Sequence, residues 1–169
     1  MKNILSLRFI ALPVLVLSLF VSCKKEDGPL SDSKPAVPVI VSNAIAFRPE
    51  PTVSFSKAAV VNGVTAPIQI VLTIPSSSGR TIKEITKVAA STSYTAIQST
   101  GTTGFYTTGP IAASGTSVTF NTTAAEYTAK TGQAITATNT ELGRRFYFML
   151  TLDDGSVIIT EAVRVLVQD

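Results

Sequence analysis

Covalent chemistry needs a nucleophile, a base or a metal, and this chain is poor in all three. It holds no histidine, the side chain whose ordinary pKa best suits general-base work and metal ligation near neutral pH. Its single thiol, Cys23, follows an apolar run and directly precedes Lys24, Lys25, Glu26 and Asp27. A serine nucleophile would need a lysine or carboxylate base beside it. Ser54 and Lys57 are close in sequence, but one such pair is expected by chance in a Ser-rich chain. Carboxylates able to work as a glycosidase pair are sparse and fall mostly in the N-terminal polar stretch, in turns or at the termini. Asp153 and Asp154, with Glu161, are the only candidate calcium ligands, too few for a cation that takes six to eight oxygens. Asp-Asp-Gly is also good turn chemistry, since Asp accepts from its own backbone and Gly takes positive φ. The expectation is a non-catalytic protein with no metal and no cofactor.

Binding chemistry has one candidate, the segment Ser91 to Ser117. It is dense in Thr, Ser and Gly and carries Tyr94, Phe105 and Tyr106. Aromatic rings flanked by hydroxyls can form a stacking platform for sugars, and long loops in compact domains are often binding elements. The competing reading turns Tyr94 and Phe105 inward to pack, because the chain lacks tryptophan, the preferred sugar-stacking residue. Tyr106 is then the ring expected at the surface.

The elements that would carry these residues begin with the N-terminus. A basic stretch holding Lys2 and Arg8, an apolar run from Phe9 to Val21 and the small Ser22 have the build of a secretory signal over residues 1–22. The run contains Pro13 and is shorter than the roughly 20 residues that span a bilayer. Leu19, Phe20, Val21, Ser22, Cys23 resembles the lipobox of bacterial lipoproteins, and Cys23 followed by Lys24, Lys25, Glu26, Asp27 and Gly28 resembles the mature start of Bacteroidota-type lipoproteins. These resemblances imply that the Cys23 thiol carries a lipid, that the membrane is a partner through it, and that the protein is an outer-membrane lipoprotein reaching the cell surface. Two or more acyl chains, at about 0.8 kcal/mol per buried methylene, make such attachment effectively permanent.

Removing the signal takes away Lys2 and Arg8. Of 14 basic and 11 acidic residues, twelve and eleven remain, a balance of +1. That gives no electrostatic case for nucleic-acid binding, which needs a clustered basic face. Residues 23–38 are polar and proline-bearing and read as a lipidated tether, with a reach of roughly 20 Å.

Residues 39–169 are rich in Thr, Ser, Val and Ile, a composition that favours strands. Ile68, Ile70, Leu72 and Ile74 alternate along one strand that Pro75 ends, and Phe146, Phe148, Leu150 and Leu152 share a face of another. Asp153 to Ser156 then makes a turn, Val157 to Ile159 begins the return, and Val163, Val165 and Val167 mark a last strand. Val39 to Phe47 and Thr52 to Phe55 are weaker candidates, and Val60 to Val64 contains Asn-Gly, a type I′ hairpin signal. For residues 81–90 a strand is expected, although Ile82, Ile85, Val88 and Ala89 also fit helical spacing and Thr81 with Glu84 has the form of a capping box. Near residues 123–131 Thr123 and Glu126 form a capping box, alanines favour helix and Gly132 suits the stop, so a short helix is expected to cross between sheets, with Tyr127 as a core anchor.

The long closing hairpin resembles that of immunoglobulin-like sandwiches. The expectation is therefore an all-β, antiparallel, immunoglobulin-like β-sandwich with one crossover helix. Its function is expected to be a non-catalytic binding or accessory module at the cell envelope, with glycans as a possible ligand. The alternative is a structural or assembly subunit that pairs with another envelope protein.

Overall fold

The computed structural model describes residues 36–47, 49–58, 67–101, 104–107, 109–136 and 138–168. They belong to a unit that spans Ala36–Asp169. The signal, most of the expected tether, Cys23 and the Val60–Val64 hairpin lie outside the described residues. Val37 and Val39 already pack against the core.

The fold is mostly strand, as the composition requires. In chain order the strands are β1 (Ile40–Val41), β2 (Thr52–Ser56), β3 (Pro67–Thr73), β4 (Ile82–Ser91), β5 (Ile111–Ala112), β6 (Ser117–Thr123), β7 (Arg145–Leu152), β8 (Val157–Ile159) and β9 (Arg164–Gln168). Two α-helices described end to end, α1 (Thr95–Gln98) and α2 (Ala124–Thr131), and a 3-10 turn at Ser76–Ser78 interrupt them. One sheet has the order β1-β3-β6 and another β5-β4-β7-β8, both antiparallel. Between β2 and β9 the pairing is parallel, which departs from the expected all-antiparallel ladder. Arg164 N–H donates to the Pro51 carbonyl just before that ladder begins.

The two antiparallel sheets share one core. Ile68, Ile70 and Leu72 of β3, Ile85 and Val88 of β4, and Phe146, Phe148 and Leu150 of β7 are fully buried. Rings bridge the layers, with Phe120 of β6 5.5 Å from Phe146 and 5.3 Å from Phe148. Each such side chain contributes about 1.5–3 kcal/mol on burial.

Strand β4 explains its own ambiguous pattern. Its ladder with β7 shifts register between Ile82 and Glu84 and again between Ile85 and Lys87. Each bulge inserts one extra residue, so the inward positions Ile82, Ile85 and Val88 recur every third residue instead of every second. Helical spacing here is the signature of a doubly bulged strand.

The expected strand over Val39–Phe47 is shorter than its pattern, since only Ile40–Val41 pairs with β3. Asn43 is the reason. Its Oδ1 accepts from Val71 N–H at 2.9 Å and its Nδ2 donates to the Gln69 carbonyl at 2.9 Å, so a side-chain amide replaces the main chain along β3 and the backbone turns away.

Helix α2 forms where its caps place it. Thr123 Oγ1 accepts from Glu126 N–H at 3.1 Å, and Gly132 closes the other end at φ 70°. The helix joins β6 of one sheet to β7 of the other, and Tyr127 is buried beneath it. Removing the cap with Thr123→Ala should cost about 0.5–2 kcal/mol in urea unfolding, with no change in the far-UV signal of the sheets.

Candidate functional site

The aromatic segment is built almost opposite to its expected arrangement. Tyr106, the ring expected at the surface, is 3 % exposed, whereas Tyr94 is 43 % exposed and Phe105 is half-buried. The segment runs along the side of β4 opposite β7, where β5 also pairs, with Tyr106 N–H donating to the Val88 carbonyl at 2.7 Å. Phe105 and Tyr106 serve different apolar clusters on either side of it. Tyr106 lies 5.2 Å from Phe146 and 5.9 Å from Phe120, both edge-on. The three rings therefore do not make one platform.

Tyr106 is inside because its hydroxyl has a partner there. Ionised Glu126 can only accept, so Thr122 Oγ1 donates to Glu126 Oε2 at 2.9 Å and Tyr106 Oη in turn donates to Thr122 Oγ1 at 2.5 Å. Lys130 pairs with Glu126 at 2.8 Å, donates to the Tyr106 carbonyl at 2.7 Å and stands 4.6 Å from the Tyr106 ring. This chain of contacts fastens the segment to β6 and α2. Burial, with Glu126 nearby, pushes the Tyr106 hydroxyl up to about 12, against the lowering effect of the Thr122 bond. The Lys130 bond holds Glu126 below its ordinary range.

A folded-state pKa above the unfolded one means that the unfolded chain releases the proton first. The contribution of Tyr106 is thus complete below about pH 10 and is lost as pH rises through about 12, a loss of about 2–3 kcal/mol. Urea unfolding between pH 9 and 12 should show this slope, flattened but not abolished in Tyr106→Phe, because burial also raises Tyr127 and Tyr147.

On the outer face of the β5-β4-β7-β8 sheet, α1 lays Ile97 over Ala89 and Tyr147. Tyr94 stands edge-on to Tyr147 at 5.9 Å, with Met149, Ile159 and Ala162 partly buried in the same cluster. Lys87 covers Phe105 at 4.8 Å and donates to the Ser99 carbonyl. Of the three candidate rings, Tyr94 is the one left open to solvent.

The acidic turn does turn chemistry. Asp154 Oδ1 accepts from Ser156 N–H and Oγ, Asp153 Oδ1 accepts from Thr81 N–H, and Arg80 pairs with both carboxylates. Among the described residues no cluster of three acidic, thiol or imidazole groups is placed to hold a metal. A hollow of about 30 Å³ is lined by Glu141, Leu142, Gly143, Arg145, Arg164 and Val165. Its charges are taken up in the pairs Arg164–Glu141 and Arg145–Glu50.

Strand β6 is a feature that the sequence reading missed. It pairs with β3 residue for residue from Ser117 to Thr123, and among the described residues nothing pairs with its other side. Ile74 N–H donates to the Thr116 carbonyl, which fixes the alternation of the ladder. The main-chain groups of Val118, Phe120 and Thr122 face β3, and those of Ser117, Thr119 and Asn121 face outward. The side chains of these last three are exposed too.

Comparison with protein-family models, with curated proteins and with solved structures returns no match to this chain.

Proposed function

We propose that this chain is a non-catalytic lipoprotein of the cell envelope, anchored in the outer membrane through Cys23, whose immunoglobulin-like domain works by pairing with another envelope protein. The domain class is supported by strand order: β4-β7-β8 corresponds to the C-F-G sheet of such sandwiches and β1-β3-β6 to A-B-E. The pairing is supported above all by the edge of β6 that is free among the described residues. Natural sheets blunt a long edge with lysine, proline, a bulge or a covering segment. Ser-Val-Thr-Phe-Asn-Thr-Thr carries no charge, no proline and no register shift. Such an edge is suited to main-chain hydrogen bonding with an added strand.

Glycan binding is the second reading, and one observation favours it. Tyr94 presents an open ring beside Tyr147 and the hydroxyl-rich segment that follows β4. Tyr106 takes no part in it.

A photo-crosslinking residue at Thr119, in the full protein in its native membrane, separates the two. A discrete protein adduct at Thr119, absent when the probe is at Ser156 and suppressed by Asn121→Lys, is the expected result. No adduct at Thr119, together with glycan binding that Tyr94→Ala abolishes, would replace the first reading with the second.

A further inference from the structure

The pairing reading leaves the partner open, and the same strand narrows it. We propose that β6 pairs with β6 of a second copy of this chain, antiparallel about a two-fold axis at Phe120. Three observations lead there. The outward main-chain groups belong to odd-numbered residues, so a two-fold at Phe120 sets Thr119 opposite Asn121 of the other copy and Ser117 opposite Thr123, each as a hydrogen-bonded pair. All seven residues of the strand then find a partner, in the isologous manner of a symmetric dimer.

Charge is the second observation. The solvent face of this sheet displays Ser42, Gln69, Thr73, Ser117, Thr119 and Asn121, with no ionisable group among them. Two copies therefore meet without like-charge repulsion, and a strongly acidic or basic partner strand gains nothing from this edge. The existing Gln69–Asn121 side-chain bond also leaves both amides with capacity for further bonds across the seam.

The third observation is where the chain comes from. Residue Ala36 begins the unit, and β1 lies at the opposite edge of the same sheet from β6. Joining two β6 edges gives a six-stranded sheet with β1, the first strand of the unit, at each outer margin, so the seam lies away from the strand nearest Cys23 in sequence. Two copies anchored through Cys23 share one membrane, and that confinement raises the effective concentration at a short seam.

The test uses two differently tagged copies of the full chain in one envelope, one carrying Thr119→Cys and the other Asn121→Cys, under mild oxidation. A disulfide-linked pair of the two copies is expected at about tenfold or more the yield of Ser156→Cys with Ser156→Cys, as confinement at a defined register requires. Chains with no added cysteine should give none. Ser117→Lys in both copies, which sets a charge at each end of the seam, should reduce the yield to that of the Ser156 pair with an unchanged melting temperature. Equal yields at all positions, or linkage only to a different protein, would overturn the proposal. Linkage to a different protein leaves pairing at β6 standing, whereas no product of any kind removes both.

Discussion

Tyr106→Ala should lower unfolding stability by about 3–5 kcal/mol, the range for truncating a buried aromatic side chain. Three losses act together. The ring leaves a void between Phe120 and Phe146, Thr122 loses the donor that satisfies its buried hydroxyl, and Lys130 loses the ring it covers. Since small domains hold only about 5–15 kcal/mol in total, urea unfolding should show a much earlier midpoint. Tyr94→Ala, which removes a largely exposed ring and one edge-on contact, should cost within about 1.5 kcal/mol. Equal small effects from the two variants would place Tyr106 at the surface and contradict this packing.

Cys23→Ala has the other large effect, and it concerns location. If the thiol carries the only lipid anchor, its loss should convert a membrane-bound protein into one that is released or held up as the unprocessed precursor. The domain should be indifferent to it. Every buried core residue from Val41 to Val167 lies within the unit that begins at Ala36, and that unit contains its own continuous apolar cluster.

Much of the fold was legible where pattern and burial coincide. Ile68 to Ile74 and Phe146 to Leu152 alternate strictly because each has one face on the core, and α2 was readable from Thr123 and Gly132 because caps are local chemistry. Residues 82–91 were harder, since two bulges gave a strand the spacing of a helix. Strand β6, an edge among the described residues, also alternates, with Val118, Phe120 and Thr122 buried. Its third inward residue is a threonine, however, which reads as polar until Tyr106 and Glu126 are seen to satisfy it. The aromatic segment is hard to orient from sequence for a related reason. Phe105 and Tyr106 are adjacent, and nothing local says which one faces the core; the partner that draws Tyr106 inward is 16 residues away.

The strand edge was illegible for a different reason. Whether a strand has a neighbour on both sides depends on sheet order, which local periodicity does not encode. Once β6 is an edge among the described residues, its sequence becomes informative, because it carries none of the charge, proline or bulge that usually guards one.

The proposed arrangement, an independent domain on a lipid tether, is tested most directly by labelling cells with a radioactive fatty acid and fractionating the wild-type and Cys23→Ala proteins. The wild type should carry label and sediment with membranes, while Cys23→Ala should carry none, lose its stable membrane association as a mature protein, and melt at the same temperature over residues 36–169. Label retained by Cys23→Ala, or a domain that no longer folds once Cys23 is changed, would contradict it.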